Sequence, residues 1–316
     1  MSRWTRTLRA CRFGVRAVVL AALIGAVSTP ALAAAKPGGH GGGGGTATTT
    51  GNDVSYPQCG SALPSAPAFA IVGLTGGLAD NLNPCFGPSS SYPNYTQSEL
   101  YWAESSATGV TVSQPKVSLY VNTADPGNVY NGTLIGDWPT SGITPHGSCS
   151  TTTVTLSSGT YTVGANSDAC AWQYGYNKAT QDAAWLAAAA SAISNQESLV
   201  SVSGSASSYP WWLDVETANT WQADTTMNVA DLQGMIAGLK AAGATTVGAY
   251  STASQWNTVT GGTNSSSGSL YGIPEWLPGA RTLSGATAAC SQTPFTGGQI
   301  TLTQWFSRPF DSDFAC

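Results

Sequence analysis

Short apolar runs, each closed by glycine, proline or polar residues, recur along the chain and predict β-strands. Residues 69–77 (FAIVGLTGG) are apolar almost without interruption, which is typical of a strand covered on both faces. A further strand is predicted at the start of the folded part, residues 53–60. Five more are predicted in residues 116–127, 211–216, 245–252, 275–280 and 299–306.

Three segments between these strands have helical patterns. Residues 96–109 begin with a possible N-cap, Thr96, followed three residues later by Glu99, and residues 174–194 are rich in alanine. Residues 228–243 have Asn228 as a possible N-cap and Gly243 as a left-handed stop. The apolar stripe of this last helix consists of Val229, Leu232, Met235, Ile236 and Leu239.

Strands and helices alternate early in the chain, whereas the last third contains mostly strands. This order predicts an α/β fold, a parallel barrel that is poor in helices towards its C-terminus. Residues 53–316 are enough for one such barrel or for two ordinary domains. Because no second linker interrupts them, we expect a single domain.

The N-terminal residues have a different pattern. Five arginines precede the apolar run AVVLAALIGAV, and small residues follow it, so residues 1–35 are predicted to be a secretory signal peptide. The alternative is an uncleaved anchor, but the apolar run is short for a membrane span. Residues 36–52 are rich in glycine and threonine and are predicted to be a flexible linker. We therefore expect a secreted protein that is extracellular or associated with a cell wall.

Charge excludes one class of partner. The sequence has 11 basic and 16 acidic residues, and five of the basic ones lie in the predicted signal, which leaves 11 minus 5, or 6, against 16. A net charge of about −10 without basic stripes disfavours nucleic acid. We expect no membrane partner after signal cleavage, and a monomer.

Six cysteines remain after the predicted signal, and an even number in an exported chain indicates disulfides. Six cysteines allow 15 connectivities. The simplest is sequential: Cys59 with Cys85, Cys149 with Cys170, and Cys290 with Cys316. The middle pair brackets a predicted hairpin within an inserted loop, residues 128–170. A zinc site is the rival reading, but the chain has only two histidines and no CxxC. We therefore expect no metal.

Chemistry is concentrated in WWLDVETANTW, residues 211–221. In a strand, Trp212, Asp214 and Glu216 share one face, and Trp211, Leu213 and Val215 share the other. Acids at alternate positions have Cα atoms about 6.5 Å apart. Flexible side chains can adjust that separation to the range that glycosidases use. The alternative, a solvated acidic strand end, is disfavoured by the three tryptophans, because sugar rings stack on flat aromatic faces.

Other catalytic devices find little support in the sequence. One histidine, His40, lies in the predicted linker and the other, His146, in the inserted loop, so a Ser-His-Asp or Cys-His device has at most one candidate base. The chain has no G-x-S-x-G elbow, no HExxH and no phosphate-binding loop with its lysine. Carboxylates and aromatic side chains remain, and no cofactor is implied.

Four motifs occur in order along the chain: DVSYPQ, LDVE, TQWF and FDSDF. In this order they resemble the lysozymes of glycoside hydrolase family 25, which have DVSxxQ, DxE, W-Q-Y and D-x-N. The resemblance implies a modified TIM barrel with eight strands and five helices, and cleavage of the β-1,4 bond after N-acetylmuramic acid with retention. It further implies Glu216 as general acid, with Asp53, Asp214 and Asp311 as its charged companions. Asp313 is the alternative to Asp311.

Side chains at or near the ends of strands are expected to bind substrate, because barrel enzymes have their sites there. These are Trp212, Tyr120, Asn122, Tyr250, Trp276, Gln304 and Trp305. Two positions depart from the family: Thr303 replaces an aromatic residue, and Asn122 stands about where a histidine often follows the tyrosine.

Peptidoglycan or a related amino-sugar polymer is the expected substrate. Because of the departures, an inactive cell-wall glycan-binding protein on the same barrel is the main alternative. An enzyme for a different extracellular polysaccharide is the third possibility.

Overall fold

The computed structural model describes residues 50–316 except Val110, Val112 and Ser265. The predicted signal peptide and residues 36–49 of the predicted linker lie outside the described residues. The described part contains 14 strands, numbered in chain order: β1 (Thr50–Val54), β2 (Ala70–Gly73), β3 (Val117–Asn122), β4 (Val129–Tyr130), β5 (Thr133–Leu134), β6 (Gly142–Thr144), β7 (Gly147–Cys149), β8 (Thr151–Leu156), β9 (Gly159–Gly164), β10 (Trp211–Asp214), β11 (Val247–Tyr250), β12 (Glu275–Ala280), β13 (Ile300–Trp305) and β14 (Asp311–Ala315).

Eight of these strands form a closed barrel in the order β1, β14, β13, β12, β11, β10, β3, β2. Seven are mutually parallel where they pair, and β14 is antiparallel to both of its neighbours. The predicted barrel is therefore confirmed. The antiparallel strand β14 is the one barrel strand that the apolar pattern did not reveal. Strand β1 begins at Thr50, so the last three residues of the predicted linker belong to the barrel.

Five α-helices accompany the barrel: α1 (Glu99–Ser106), α2 (Asp168–Ser194), α3 (Thr225–Ala241), α4 (Ala253–Thr260) and α5 (Leu283–Ala289). The last two have eight and seven residues, in agreement with the predicted helix-poor final third. None of the helices in the described part of the chain is long and apolar enough to cross a membrane.

All three predicted helices begin at residues other than those predicted. Helix α2 begins at Asp168 instead of Tyr174. Ser98, rather than Thr96, caps α1, and Asp224, rather than Asn228, caps α3. Asn228 is buried inside α3, where its amide donates to the carbonyls of Gln222 and Val259. It therefore ties the loop after β10 to the end of α4.

Large aromatic side chains fill the barrel, and small residues make room for them. Trp212 and Trp276 are both 2% exposed, with ring centroids 6.1 Å apart. Gly248 lies under Trp212: a Cβ on Gly248 would come within 2.4 Å of the indole. Glycine at this position allows the tryptophan to occupy the centre of the barrel.

We expect Gly248→Ala to destabilise the protein by about 1–3 kcal/mol, because the added methyl group overpacks the interior against a rigid ring. Urea unfolding followed by circular dichroism measures the change. Gly136→Ala is the control, since a Cβ there meets nothing within 4 Å. Equal stability of the two variants would show that Trp212 does not occupy the described position.

The inserted loop contains the predicted hairpin, β8 paired with β9, between Cys149 and Cys170. All three disulfides follow the sequential pairing: Cys59–Cys85, Cys149–Cys170 and Cys290–Cys316. The middle bond joins β7 to the first turn of α2 and so fixes the base of the insertion.

Candidate active site

A cavity of about 180 Å³ opens at the carboxyl ends of the parallel barrel strands. Eight side chains line it, all of them predicted from the sequence: Asp53, Tyr120, Asp214, Glu216, Tyr250, Trp276, Gln304 and Asp311. They come from β1, β3, β10, β11, β12, β13 and β14, so residues from both ends of the chain meet at one mouth.

One wall of the cavity is organised around Asp53. The amide of Gln304 donates to Asp53 Oδ2 over 2.9 Å, and the hydroxyl of Tyr250 donates to Gln304 Oε1 over the same distance. Asp311 lies directly across from Asp53 in the β1–β14 register. This wall therefore places two carboxyl groups side by side, one of them held by an amide.

The opposite wall is organised around Asp214, which is 6% exposed. The amide of Asn122 donates to Asp214 Oδ2 over 2.6 Å. The Thr75 hydroxyl in turn donates to Asn122 Oδ1, the oxygen of the same side-chain amide, over 3.0 Å and so fixes which way that amide points. Asp214 Oδ1 is buried without a hydrogen-bond partner among the described residues.

Glu216 follows the end of β10 and is half-buried at the cavity wall. The chain around it is anchored from three sides. Val215 N donates to the carbonyl of Tyr250, Trp221 Nε1 donates to the carbonyl of Glu216, and Thr217 N donates to Gln255 Oε1. The Glu216 side chain thus projects from a fixed backbone while remaining accessible from the mouth.

Burial and mutual repulsion favour protonated carboxyl groups in this cavity. Burial, with a contribution from Asp311, raises the pKa of Asp53 to about 6, although the bond from Gln304 opposes the shift. Burial, followed by the charges of Glu216 and Asp53, raises the pKa of Asp214 well above its usual value.

The tyrosines of the site are neutral donors. Burial raises the pKa of Tyr250 and of Tyr120 well above the usual value, and nearby carboxylates add to both shifts. Both hydroxyls therefore keep their protons over the whole range in which the carboxyl groups titrate.

The raised pKa of Asp53 predicts a pH effect on stability. The folded state binds the Asp53 proton more tightly than the unfolded state, where the pKa is near 3.8. The resulting stabilisation is fully present below about pH 4 and is lost as the pH rises through 6; it amounts to at most about 3 kcal/mol. Between pH 4 and 7, urea unfolding should show the parent losing stability relative to Asp53→Asn. If the difference in free energy of unfolding between the parent and Asp53→Asn were the same at every pH, the raised pKa of Asp53 would be contradicted.

Four predicted site residues do not line the cavity. Asp313 is fully buried below it, opposite Gln304 in the β13–β14 register, and Asn122 lies behind Asp214. Trp212 lies deeper, in the barrel interior, so its prediction as a sugar platform was wrong. Trp305 alternates with Gln304 along β13, points away from the interior and is partly exposed.

Two exposed rings at the same mouth were missed. Tyr56, which follows β1, is 47% exposed, and Phe306, which follows β13, is 61% exposed. Phe306 lies under the guanidinium of Arg308, 5.5 Å from its ring centroid. Their positions inside the DVSYPQ motif and directly after TQW could have signalled them, since both follow predicted strands on the mouth side.

A metal centre has no support in the described part of the chain. The one group of potential ligands close enough to share an ion is Cys59, Cys85 and Glu99. The two sulfur atoms in that group are joined in a disulfide and cannot ligate as thiolates.

Comparisons with known proteins place the similarity around β10. The family model described as "Lysozyme-like protein 1" matches residues 195–272. A probable family 25 lysozyme of Dictyostelium discoideum is 45% identical over 51 residues, which is 16% of this chain and 23% of that protein. The match thus spans about a quarter of the relative's length.

The chain also has a weak likeness to solved structures. A bacterial lysozyme from Streptomyces coelicolor is 17% identical over 85% of this chain and 93% of its own, with a TM-score of 0.41. A muramidase from Trichobolus zukalii is 16% identical over 85% of this chain and 94% of its own, with a TM-score of 0.43. The family match contains the LDVE motif of the central strand, and with the Dictyostelium relative it confirms the resemblance: the chain is similar to the lysozymes of glycoside hydrolase family 25.

Proposed function

We propose that the protein hydrolyses β-1,4 glycosidic bonds in peptidoglycan or a related amino-sugar polymer. The observation that carries this proposal is the convergence of Asp53, Asp214, Glu216 and Asp311 on one cavity, from strands far apart in the chain. Such a group can retain a proton near neutral pH and still present negative charge. Both are needed to cleave a glycosidic bond. The similarity to a probable lysozyme supports the choice of polymer.

Glu216 acts as the general acid. It is the more accessible member of the Asp214–Glu216 pair, so its proton can reach the leaving oxygen of a sugar bound across the mouth. As the glycosidic bond breaks, the acetamido oxygen of the substrate attacks C1 and forms a cyclic intermediate. The positive charge that this attack places on the acetamido nitrogen favours the ionised form of Asp214, which is fixed by Asn122 and stabilises that charge.

Water completes the cycle. Glu216, now ionised, removes a proton from water as the water oxygen bonds to C1 and the cyclic intermediate reopens. Two displacements at the same carbon retain its configuration. Asp53 and Asp311 lie on the opposite wall and stabilise oxocarbenium character at C1 in both steps.

The cavity's shape favours a polymer. Its volume of about 180 Å³ is small beside the 300–1,000 Å³ that is common for pockets enclosing a whole ligand. Only part of a glycan can therefore enter, and the rest must lie along the rim. Tyr56 and Phe306 present exposed aromatic faces there, on which sugar rings can stack.

An extracellular or wall-associated location fits this substrate. The three disulfides form in oxidising compartments, and the predicted signal peptide would direct the chain there.

Digestion of several polymers tests the proposal. The protein is incubated with purified peptidoglycan, with chitin and with a neutral wall polysaccharide, and new reducing ends are measured beside a pull-down. Reducing ends from peptidoglycan are the expected result. Retention on peptidoglycan without reducing ends would favour the glycan-binding alternative, and reducing ends from the neutral polymer alone would favour the third possibility.

A further inference from the structure

The foot of the cavity holds a second pair of acids, Asp53 and Asp313. Both lie on the inward face of the barrel. In the β1–β14 register Asp53 is opposite Asp311, and the residue opposite Asp313 is Gly51, which has no side chain. Asp313 can therefore reach the Asp53 carboxyl diagonally from below. In the β13–β14 register it lies opposite Gln304, whose amide donates to Asp53, so the two carboxyl groups are close enough to share a hydrogen bond.

Each carboxyl is held separately on its other side. Trp276 Nε1 donates to Asp313 Oδ1 over 2.9 Å, and Gln304 donates to Asp53 Oδ2 over 2.9 Å. Asp313 is 0% exposed, and its Oδ2 receives no hydrogen bond from a donor among the described residues. These contacts fix both groups in a position where they must face each other.

A hydrogen bond between two carboxyl groups requires a proton, because an ionised carboxylate only accepts. Neither group has a cation to neutralise it: no lysine or arginine in the described residues forms an ion pair with Asp53 or Asp313. The titratable groups facing the pair from neighbouring strands are acidic or phenolic, namely Asp311, Asp214, Glu216, Tyr120 and Tyr250.

We propose that Asp313 is a positioning residue that stays protonated at neutral pH and donates a hydrogen bond to Asp53, which holds the Asp53 carboxylate towards the cavity. Asp313 is the more buried of the two, so the proton resides on it while the charge resides on the group that faces substrate. Burial raises the pKa of Asp313 well above its usual value, in the same direction. The expected effect of Asp313 on turnover rests on the proposed hydrolase function, whereas the protonation of Asp313 does not depend on it.

Infrared difference spectroscopy detects this proton without turnover. The spectrum of the parent minus that of Asp313→Asn, taken at neutral pH, should contain the stretching band of one protonated carboxyl group. Absence of that band would overturn the proposal, whatever the activity. Because the measurement needs no substrate, its failure is distinct from a failure of the proposed function.

Kinetics on peptidoglycan then test the positioning role. Asp313→Asn keeps a donor but cannot ionise, so kcat and KM near neutral pH should stay within about threefold of the parent, and activity should persist to higher pH. Asp313→Ala removes the donor and should lower kcat by about 10² at little change in KM. Equal losses in the two variants, or identical pH profiles of the parent and Asp313→Asn, would contradict the role.

Discussion

Glu216→Gln is expected to lower the rate of peptidoglycan cleavage by about 10² to 10⁴, the usual contribution of a general acid. The amide occupies the same space, but it cannot give a proton to the leaving oxygen. Clearing of a cell-wall suspension and release of reducing ends measure the loss. The backbone anchors from Trp221 and Gln255 do not involve the Glu216 side chain, so thermal unfolding should be unchanged.

Glu197→Gln is the matched control for this change. Glu197 lies just beyond the carboxyl end of α2 and outside the cavity, so the same exchange of acid for amide should leave cleavage intact. A Glu216→Gln variant as active as the parent would remove the assigned acid. An equal loss of cleavage in Glu216→Gln and Glu197→Gln would show that the loss does not arise at the candidate active site.

Asp214→Asn should lower kcat by about 10² to 10³, because it removes the charge that stabilises the cyclic intermediate. The same change should leave the free energy of unfolding unchanged or increase it. An ionised carboxylate in this buried position is costly, as the raised pKa of Asp214 indicates, and a neutral amide avoids that cost. Kinetics and urea unfolding of one variant thus separate function from stability.

Asp182→Asn provides the control for the second prediction. Asp182 is buried on α2, outside the cavity, and burial likewise raises its pKa well above the usual value. Its replacement should stabilise the protein in the same way without affecting kcat. A large loss of stability in Asp214→Asn, with kcat preserved, would mean that Asp214 is only a structural residue.

The central strand was predictable because strand alternation is a local property. The assignment of Trp211, Leu213 and Val215 to one face and of Trp212 and Asp214 to the other agrees with the two core clusters on either side of β10. Alternation gives the face but not the depth along the barrel axis. Trp212 therefore shares a face with Asp214 while lying one layer below it, which the pattern could not reveal.

Strand β14 could not be predicted from its own residues. Residues 311–315 carry two aspartates in five positions, and strands are generally poor in aspartate. The strand forms nonetheless because β1 and β13 supply hydrogen bonds on both edges, while Trp276 donates a hydrogen bond to Asp313. These partners are distant in sequence, so the order of four motifs, rather than any local pattern, brought Asp311 into the predicted site.

The identity of the sugar at the new reducing end tests the central claim most directly. Purified peptidoglycan is digested, reduced with borohydride and hydrolysed, and the sugar alcohols are separated. If the bond after N-acetylmuramic acid is cleaved, that sugar becomes the new reducing end and is recovered as muraminitol. We therefore expect muraminitol from the parent and none above background from Glu216→Gln. Protein that binds the wall but yields no sugar alcohol, or that yields only glucosaminitol, would contradict the account.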